Sequence, residues 1–455
     1  MTLEKQLVDF AVNTRLEDIP ERTVAFSKQL LAKISASMVK GSGTDSAKKL
    51  IRILDEQGNS DRRAPLIGCG LRSSVDEASF INGYFAHAAE LEDDQFPSAT
   101  SDITVVPIIF SMIEAYGLTG RDVLEATTVA MEVMNRIGTY SLASKGIVEL
   151  PFYGVVGAAI AAGKAMRLGT EEMLGAIGIA MGRASGLISN FGTDAHYIES
   201  ALACRDGLLA AVLAKGGMSG NPDLSTWLTN LVGADKFDPQ VVVGDLGKKW
   251  RIHTVWIKKY PCCFLTHRPI DILFRLRHTT PFQEAEVVDL TIEDNPVSKI
   301  VDRPVPVHTD DARFSFQQAL SAALLDGEVD DHHFSPQRIA DPAFVATRRK
   351  IKIVRHEDWP KAFLSGPCRV TVRLRDGREL KGESETAGGA PDSPLTEQEV
   401  HDLFRRILKP VMPSAGIEAT WKTIASLESQ QDLKPFLEGL RHVPQQNVAE
   451  RQAAR

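Results

Sequence analysis

The sequence predicts a mainly α-helical protein in which a large all-helical domain carries an inserted, smaller α+β domain. Apolar residues recur with helical spacing from Leu3 to about residue 270, whereas the alternation typical of strands appears only after about residue 275. Helical spacing then returns from Thr396. The predicted parts are a helical domain (1–270 and 396–445), a smaller α+β domain (271–395) and a disordered tail (446–455).

Composition excludes several classes of function. The 455 residues include 52 Lys+Arg and 59 Asp+Glu, and the resulting net charge of −7 disfavours binding to nucleic acid or to an anionic membrane. The longest weakly polar run, 150–162, is too short to cross a bilayer, and the charged first thirty residues contain no secretory signal. Five scattered cysteines predict neither a disulfide framework nor a zinc knuckle. We expect a cytoplasmic protein.

The helical domain begins with an amphipathic stripe formed by Leu3, Leu7, Phe10 and Ala11. Some of the helices that follow are rich in glycine, which costs about 1 kcal/mol relative to alanine inside a helix. Glycines four residues apart, at 178, 182 and 186, therefore predict close packing of helix backbones. The further predicted helices are 78–94, 105–116, 122–142, 153–168, 171–189 and 201–214.

The smaller domain shows strand patterns at 286–293 and 350–354, and a hairpin around Asp376-Gly377 within 369–381. Residues 314–325 predict a helix between these strands. Beyond the domain, Thr396 and Glu399 have the spacing of a capping box, which predicts that a helix begins there.

An acidic run provides the first candidate site. A helix through residues 83–94 would place His87, Glu90 and Asp94 on one face, with Glu92 and Asp93 beside them. Four carboxylates in five positions repel one another unless a cation, a proton or a basic partner is near. The run is either a solvated acidic helix end or a site, and a divalent-metal site formed by the histidine and two carboxylates is one alternative.

Three other segments carry reactive groups. Lys258 and Lys259 adjoin aromatic residues, which favours a base or an anion-binding cation, while the adjacent cysteines at 262–263 are typical of packing thiols. His196 lies where a loop enters a helix and is either a surface histidine or a catalyst. Arg313 is either a bidentate carboxylate ligand or the partner of Asp310 or Asp311.

Taken in order, these segments resemble the MmgE/PrpD family, which includes 2-methylcitrate dehydratase, cis-aconitate decarboxylase and iminodisuccinate epimerase. The resemblance implies a helical domain built from both chain ends, an inserted smaller domain, a homodimer and an active site in the cleft between domains. It also implies cofactor-independent removal of a proton next to a carboxylate of a small polycarboxylic acid, with no metal. The matching stretches are 82–87 with the acidic run, 154–162, 205–211, 258–271, 312–315 and 391–396.

The resemblance assigns site residues in the helical domain. The first active-site aspartate of the family falls on Glu90, and its threonine four residues later falls on Asp94. The His-Pro pair of the family falls on Thr100-Ser101, and its second histidine falls on Val148. A family lysine falls on His196.

In the following segments the lysine of the Lys-x-Tyr-Pro motif is kept as Lys258. The histidine that some members carry five residues later is Cys263, whereas His267 is kept. The family tyrosine after Phe-Ser falls on Gln318.

The missing histidines and tyrosine are the groups that would protonate a departing hydroxyl. We therefore predict an isomerase or epimerase that moves a proton at the carbon next to a carboxylate. The alternatives are a dehydratase or decarboxylase with a reorganised site, and a catalytically silent protein that binds a metabolite or a partner. The predicted catalytic residues are Lys258, His196, Glu90 and Asp94, and the predicted substrate-binding residues are Arg313, His267, Cys263, Thr100 and Gln318.

Overall fold

The computed structural model describes residues 1–56, 61–95 and 102–441, so Thr100 and the predicted tail lie outside it. Helices dominate the described residues, which confirms the predicted fold class. In chain order they are α1 (Leu3–Asn13), α2 (Glu21–Ser42), α3 (Asp45–Asp55), α4 (Val75–His87), α5 (Asp102–Tyr116), α6 (Gly120–Ile137), α7 (Glu149–Ala165), α8 (Thr170–Met181), α9 (Asp194–Lys215), α10 (Leu224–Val232), α11 (Pro239–Val243), α12 (His267–Thr279), α13 (Thr309–Arg313), α14 (Phe316–Leu325), α15 (Pro336–Ala340), α16 (Pro342–Arg348), α17 (Glu397–Leu408), α18 (Ser414–Ala425) and α19 (Lys434–Gly439).

The strands are few and short. They are β1 (Ala64–Pro65), β2 (Arg72–Ser73), β3 (Asp94–Gln95), β4 (Val255–Trp256), β5 (Val287–Asp294), β6 (Ile351–Arg355), β7 (Cys368–Leu374) and β8 (Glu379–Ser384).

The chain divides into two compact units. The helical unit contains Met1–Ser189, Asp194–Val255 and the residues from Thr396 onward, and the smaller unit contains Asn190–Thr193 and Trp256–Leu395. This division groups residues 256–270 with the smaller unit, whereas the sequence analysis assigned them to the helical domain.

The centre of the helical unit is formed by α4, α5, α7 and α9. Nearly every residue of α5 and α7 is buried, and such helices are apolar on all faces because other helices surround them. Gly207 of α9 faces α7 so closely that an added Cβ would lie 2.4 Å from Ala158 Cβ and 2.8 Å from Ala159 N. The predicted glycine stripe was wrong in part: a Cβ on Gly178 would lie 2.5 Å from the Gly220 backbone, whereas Gly182 caps α8 and Gly186 lies beyond the helix.

The smaller unit is built around a four-stranded sheet with the order β6-β5-β7-β8. Strand β5 pairs parallel with β6 and antiparallel with β7, and β7 pairs antiparallel with β8 across the predicted hairpin. Alternate residues of β7 are buried, as expected for a sheet with one face on a core. The core residues include Leu290, Ile292, Val370 and Val372.

Several predicted helix ends were wrong, including that of α6, which ends at Ile137 and not at residue 142. Helix α4 ends at His87, so the acidic run does not continue the helix to Asp94. Glu90 instead has a φ of 52° and its N–H donates to the His87 carbonyl. The C-terminal end of a helix carries partial negative charge, which disfavours adding the carboxylates at this end. Helix α8 ends at Met181, before the predicted residue 189, and Gly182 is its C-cap.

Other expectations concern the helix caps, the cysteines and membrane insertion. The capping box of Thr396 and Glu399 is confirmed at the start of α17. All five cysteine thiols are unbridged. Among the described residues, no helix combines the length and the apolarity needed to cross a membrane.

Replacing Gly207 with alanine should lower the free energy of unfolding by about 1–3 kcal/mol, because the added Cβ overpacks the contact with α7. Gly182→Ala is the matched control, since a Cβ there would lie 3.4 Å from the Ile179 carbonyl oxygen. Urea unfolding of both variants, followed by circular dichroism, measures the difference. Equal midpoints for the two variants would contradict the close approach of α9 to α7.

Candidate active site

A buried carboxylate lies beside two histidines in the helical unit. Glu90 Oε1 is 3.9 Å from His87 Nε2 and 3.9 Å from His196 Nε2. The two imidazole rings meet edge to face, with their centroids 4.3 Å apart. Side-chain exposure is 0% for His87, 2% for Glu90 and 5% for His196. The structure therefore brings together two of the predicted catalytic residues, Glu90 and His196, and adds His87.

Close packing of α4 against α9 positions these groups. His87 is the last residue of α4, and His196 lies in the first turn of α9. One turn before His87, a Cβ on Gly83 would lie 2.7 Å from Cys204 Sγ and 3.2 Å from Ala201 Cα. Glu90 follows in the left-handed region, a conformation that costs a non-glycine residue about 1–2 kcal/mol. Such strain persists where the surrounding structure fixes the residue, and it is common at functional sites.

A serine determines which nitrogen of His87 carries the proton. Ser200 Oγ donates to the Tyr197 carbonyl and lies 2.9 Å from His87 Nδ1. Because the single hydroxyl proton is used in the first bond, the serine oxygen accepts the second one from Nδ1–H. His87 Nε2 then faces Glu90.

Glu92 is the second carboxylate near His87. Its Oε1 lies 3.9 Å from His87 Nε2, and its side chain is buried. We call His87, Glu90, Glu92 and His196 the His–Glu cluster. The sequence analysis noted His87 and Glu92 but did not select them as site residues, although both lie in the segment that carries the family resemblance. Nothing in the sequence indicated Ser200.

The cluster also has the donor types of a metal site. One nitrogen from each histidine and one oxygen of Glu90 lie within 4.8 Å of one another. Two imidazoles and a carboxylate form a common ligand set for divalent transition metals. Asp94, which the sequence analysis placed in the metal alternative and among the catalytic residues, starts β3 and is half-buried.

Lys258 is buried in the smaller unit, shortly after β4, with 1% of its surface exposed. The adjacent Lys259 differs, because its Nζ lies 2.7 Å from Asp271 Oδ1 and its side chain is partly exposed. The same carboxylate accepts a hydrogen bond from the Tyr260 hydroxyl at 2.7 Å. The two neighbouring lysines therefore have distinct environments, and Lys258 is the one enclosed by protein.

His267 and Cys263 lie inside the packing of the smaller unit. His267 Nε2 is 3.2 Å from the carbonyl oxygens of Tyr260 and Cys262, and its ring stacks on Phe264 at 4.5 Å. Facing two acceptors, Nε2 carries the proton. The backbone N–H of Cys263 donates to the Arg313 carbonyl at 2.9 Å, so the structure brings these two predicted substrate-binding segments together.

Arg313 is buried and paired with carboxylates of its own unit. Its Nη1 is 3.3 Å from Asp310 Oδ1, and its Nη2 is 2.6 Å from Asp331 Oδ1. The salt bridge to Asp310 is one of the alternatives that the sequence left open. Asp311 instead pairs with Arg303 at 2.6 Å.

Gln318 is enclosed in the smaller unit, and both ends of its amide are bonded there. Its Nε2 donates to the His333 carbonyl at 2.6 Å, and its Oε1 accepts from Arg348 Nη1 at 2.5 Å. The side chain thus ties α14 to the residues around His333 and to α16. Its role as a substrate contact remains a prediction.

Proteins named cis-aconitate decarboxylase are similar to this chain over most of its length. Cis-aconitate decarboxylase of Mus musculus is 26% identical over 372 residues, which are 78% of this chain and 76% of that protein. The Homo sapiens cis-aconitate decarboxylase is 26% identical over 374 residues, covering 78% and 77%. The Aspergillus terreus cis-aconitate decarboxylase is 25% identical over 473 residues, covering 95% and 94%.

Family sequence models match both parts of the chain. The MmgE/PrpD N-terminal domain matches residues 5–231, and the MmgE/PrpD C-terminal domain matches residues 260–429. The first match contains the whole His–Glu cluster, and the second contains Cys263, His267, Arg313 and Gln318. Since the two matches together cover most of the sequence in the family order, this chain belongs to the MmgE/PrpD family.

Proposed function

We propose that this protein is a carbon–carbon lyase that removes a carboxylate from a small unsaturated di- or tricarboxylic acid without an organic cofactor. The observation that carries the proposal is the buried His–Glu cluster, in a chain that is similar to proteins named cis-aconitate decarboxylase. Both the cluster and the relatives favour proton transfer to carbon as the central chemical step.

The cluster has the groups that a decarboxylation requires. When the bond to the departing carboxylate breaks, carbon dioxide leaves and its bonding electron pair stays on the substrate. One proton must then be added to carbon, so the reaction consumes one proton. His87 Nε2 and His196 Nε2 both face Glu90, whose negative charge stabilises an imidazolium that can donate this proton.

The geometry of the two histidines argues against this pair as the two bases of an epimerase. A two-base epimerase holds an acid and a base on opposite faces of one carbon. His87 and His196 contact each other directly, with ring centroids 4.3 Å apart, so this pair leaves no room for a substrate carbon between its members. Epimerisation, which the sequence analysis favoured, therefore needs Lys258 as the second proton carrier.

Lys258 is our preferred cation for a substrate carboxylate. It is the lysine kept from the Lys-x-Tyr-Pro motif of the family, and its side chain is buried. Arg313 is less suited to this role, because a substrate would compete with Asp310 and Asp331 for its guanidinium. Assembly as a homodimer, a cytoplasmic location and the meeting of both sets of residues in one cleft stay predictions.

His196→Ala and Glu90→Gln should each lower kcat for decarboxylation by about 10²–10⁴-fold, because general acid catalysis contributes that factor. Release of carbon dioxide from a panel of small unsaturated polycarboxylic acids measures the rate. His278→Ala, which removes an exposed histidine of α12, is the matched control and should leave the rate unchanged. Full activity of both cluster variants would exclude the assignment. Dialysis against a chelator tests the metal alternative, since proton donation by imidazole survives it.

Turnover in deuterium oxide should place one deuterium on carbon in the decarboxylated product, because the donated proton comes from an imidazole that exchanges with solvent. Mass spectrometry of substrate and product measures the label. Deuterium in recovered substrate, with no loss of carbon dioxide, would instead identify an isomerase. Binding of these acids by thermal shift, without label or turnover, would identify a catalytically silent protein.

A further inference from the structure

A lysine in the middle of α2 is completely buried and reaches the acidic run. Lys33 Nζ lies 2.6 Å from Asp93 Oδ1, and both side chains are 0% exposed. The same ammonium donates a hydrogen bond to the Leu91 carbonyl. Since an isolated charge is costly to bury, both partners are needed to keep Lys33 in this position.

These contacts fix the segment that carries the carboxylates of the His–Glu cluster. We call residues 88–93, between α4 and β3, the acidic loop. Lys33 holds it at Leu91 and Asp93, the residues next to Glu90 and Glu92 in the chain. Ser37, one turn further along α2, shares its hydroxyl proton between the Leu91 carbonyl at 3.0 Å and the Lys33 carbonyl at 3.1 Å. Helix α2 thus provides two donors for one loop carbonyl.

The loop needs such support because its backbone is strained. Glu90 has a φ of 52°, and a non-glycine residue keeps this conformation only when its surroundings fix it. The Glu90 N–H bond to the His87 carbonyl fixes the start of the loop. Lys33 and Ser37 fix the following carbonyl. The strained residue therefore lies between two anchored positions.

We propose that Lys33 is a positioning residue, which holds the acidic loop so that Glu90 and Glu92 face His87 and His196. Lys33 does not belong to the His–Glu cluster and acts on it through the loop backbone. The kinetic consequence rests on the proposed lyase function, whereas the structural consequence can be measured without a substrate.

Asp102, the first residue of α5, lies beside the Lys33–Asp93 pair. Its Oδ2 accepts the Asp93 N–H at 3.3 Å, and its side chain is buried. Burial and the neighbouring negative charge of Asp93 raise the pKa of Asp102 well above its ordinary range, with Lys33 opposing and Glu92 adding to the shift.

Asp102→Asn should gain stability relative to wild type as the pH rises above about 4, the ordinary value for aspartate. The folded protein holds the Asp102 proton more tightly than the unfolded chain, so wild type loses stability through this window and the variant does not. Asp223→Asn is the control, and its stability relative to wild type should fall over the same pH range. Hydrogen bonding by Thr226 lowers the pKa of Asp223, the N-cap of α10. Melting temperatures measured from about pH 3 to about pH 8, a range that includes the ordinary carboxyl pKa of roughly 4, give both differences. A pH-independent difference for Asp102→Asn would contradict its retained proton.

Lys33→Met tests the positioning role, with Lys164→Met as the matched control. Lys164 is a second buried lysine of the helical unit, and it bonds the Ala11 and Thr14 carbonyls, away from the acidic loop. We expect hydrogen exchange of amides 88–93 to accelerate at least about tenfold in Lys33→Met alone, because the loop opens locally. We also expect kcat to fall about tenfold with KM nearly unchanged, because Lys33 positions cluster residues that act in the transition state.

The double variant Lys33→Met/Asp93→Asn removes both buried charges, so it tests the loop even if the single variant fails to fold. The Leu91 carbonyl still lacks the ammonium, and fast exchange of the loop should persist. The proposal would be overturned if amides 88–93 of the double variant exchanged at the wild-type rate. It would also be overturned if Lys164→Met accelerated their exchange as much as Lys33→Met does. If the loop exchanges fast in Lys33→Met but the wild-type protein turns over none of the tested acids, the positioning role of Lys33 is supported and only the proposed lyase function is rejected.

Discussion

Burial of charge is the constraint on which the helical unit depends. Lys33 and Asp93 pair at 2.6 Å inside it, and so do Arg136 and Glu132, with all four side chains inaccessible to solvent. Removing one member of such a pair leaves an uncompensated charge, which typically costs about 3–5 kcal/mol. Each pair therefore fixes its backbone segments firmly, and the segment fixed by Lys33 carries Glu90.

Periodicity in the sequence predicted most of the helices because burial of one face repeats every three or four residues. It failed at the end of α4, where the pattern continues to Asp94 but the helix ends at His87. No apolar pattern records a single residue in the left-handed region, and Glu90 is not the glycine that normally signals one. The local conformation at the site was therefore the part that the sequence could not predict.

The sequence likewise predicted only part of the candidate site. Family motifs name residue types, so they indicated Glu90 and His196, which the structure brings together. They do not name partners. Arg313 and Gln318 were selected as substrate contacts, but both are bonded to neighbours in their own unit. Lys33 gave no signal at all, because a lysine in a long amphipathic helix is usually solvated.

The resemblance to the family implies that Glu90 and His196 stand where other members carry a carboxylate and an ammonium. A family aspartate falls on Glu90, and a family lysine falls on His196. The first change lengthens the anionic side chain by one methylene, while the second shortens the cationic one, so the two groups can still meet. Their atoms lie 3.9 Å apart in the buried cluster. The exchange preserves complementary charge but replaces a cation that holds its proton at neutral pH with an imidazole that can release it. In the proposed function, this imidazole is the group that donates a proton to the substrate carbon.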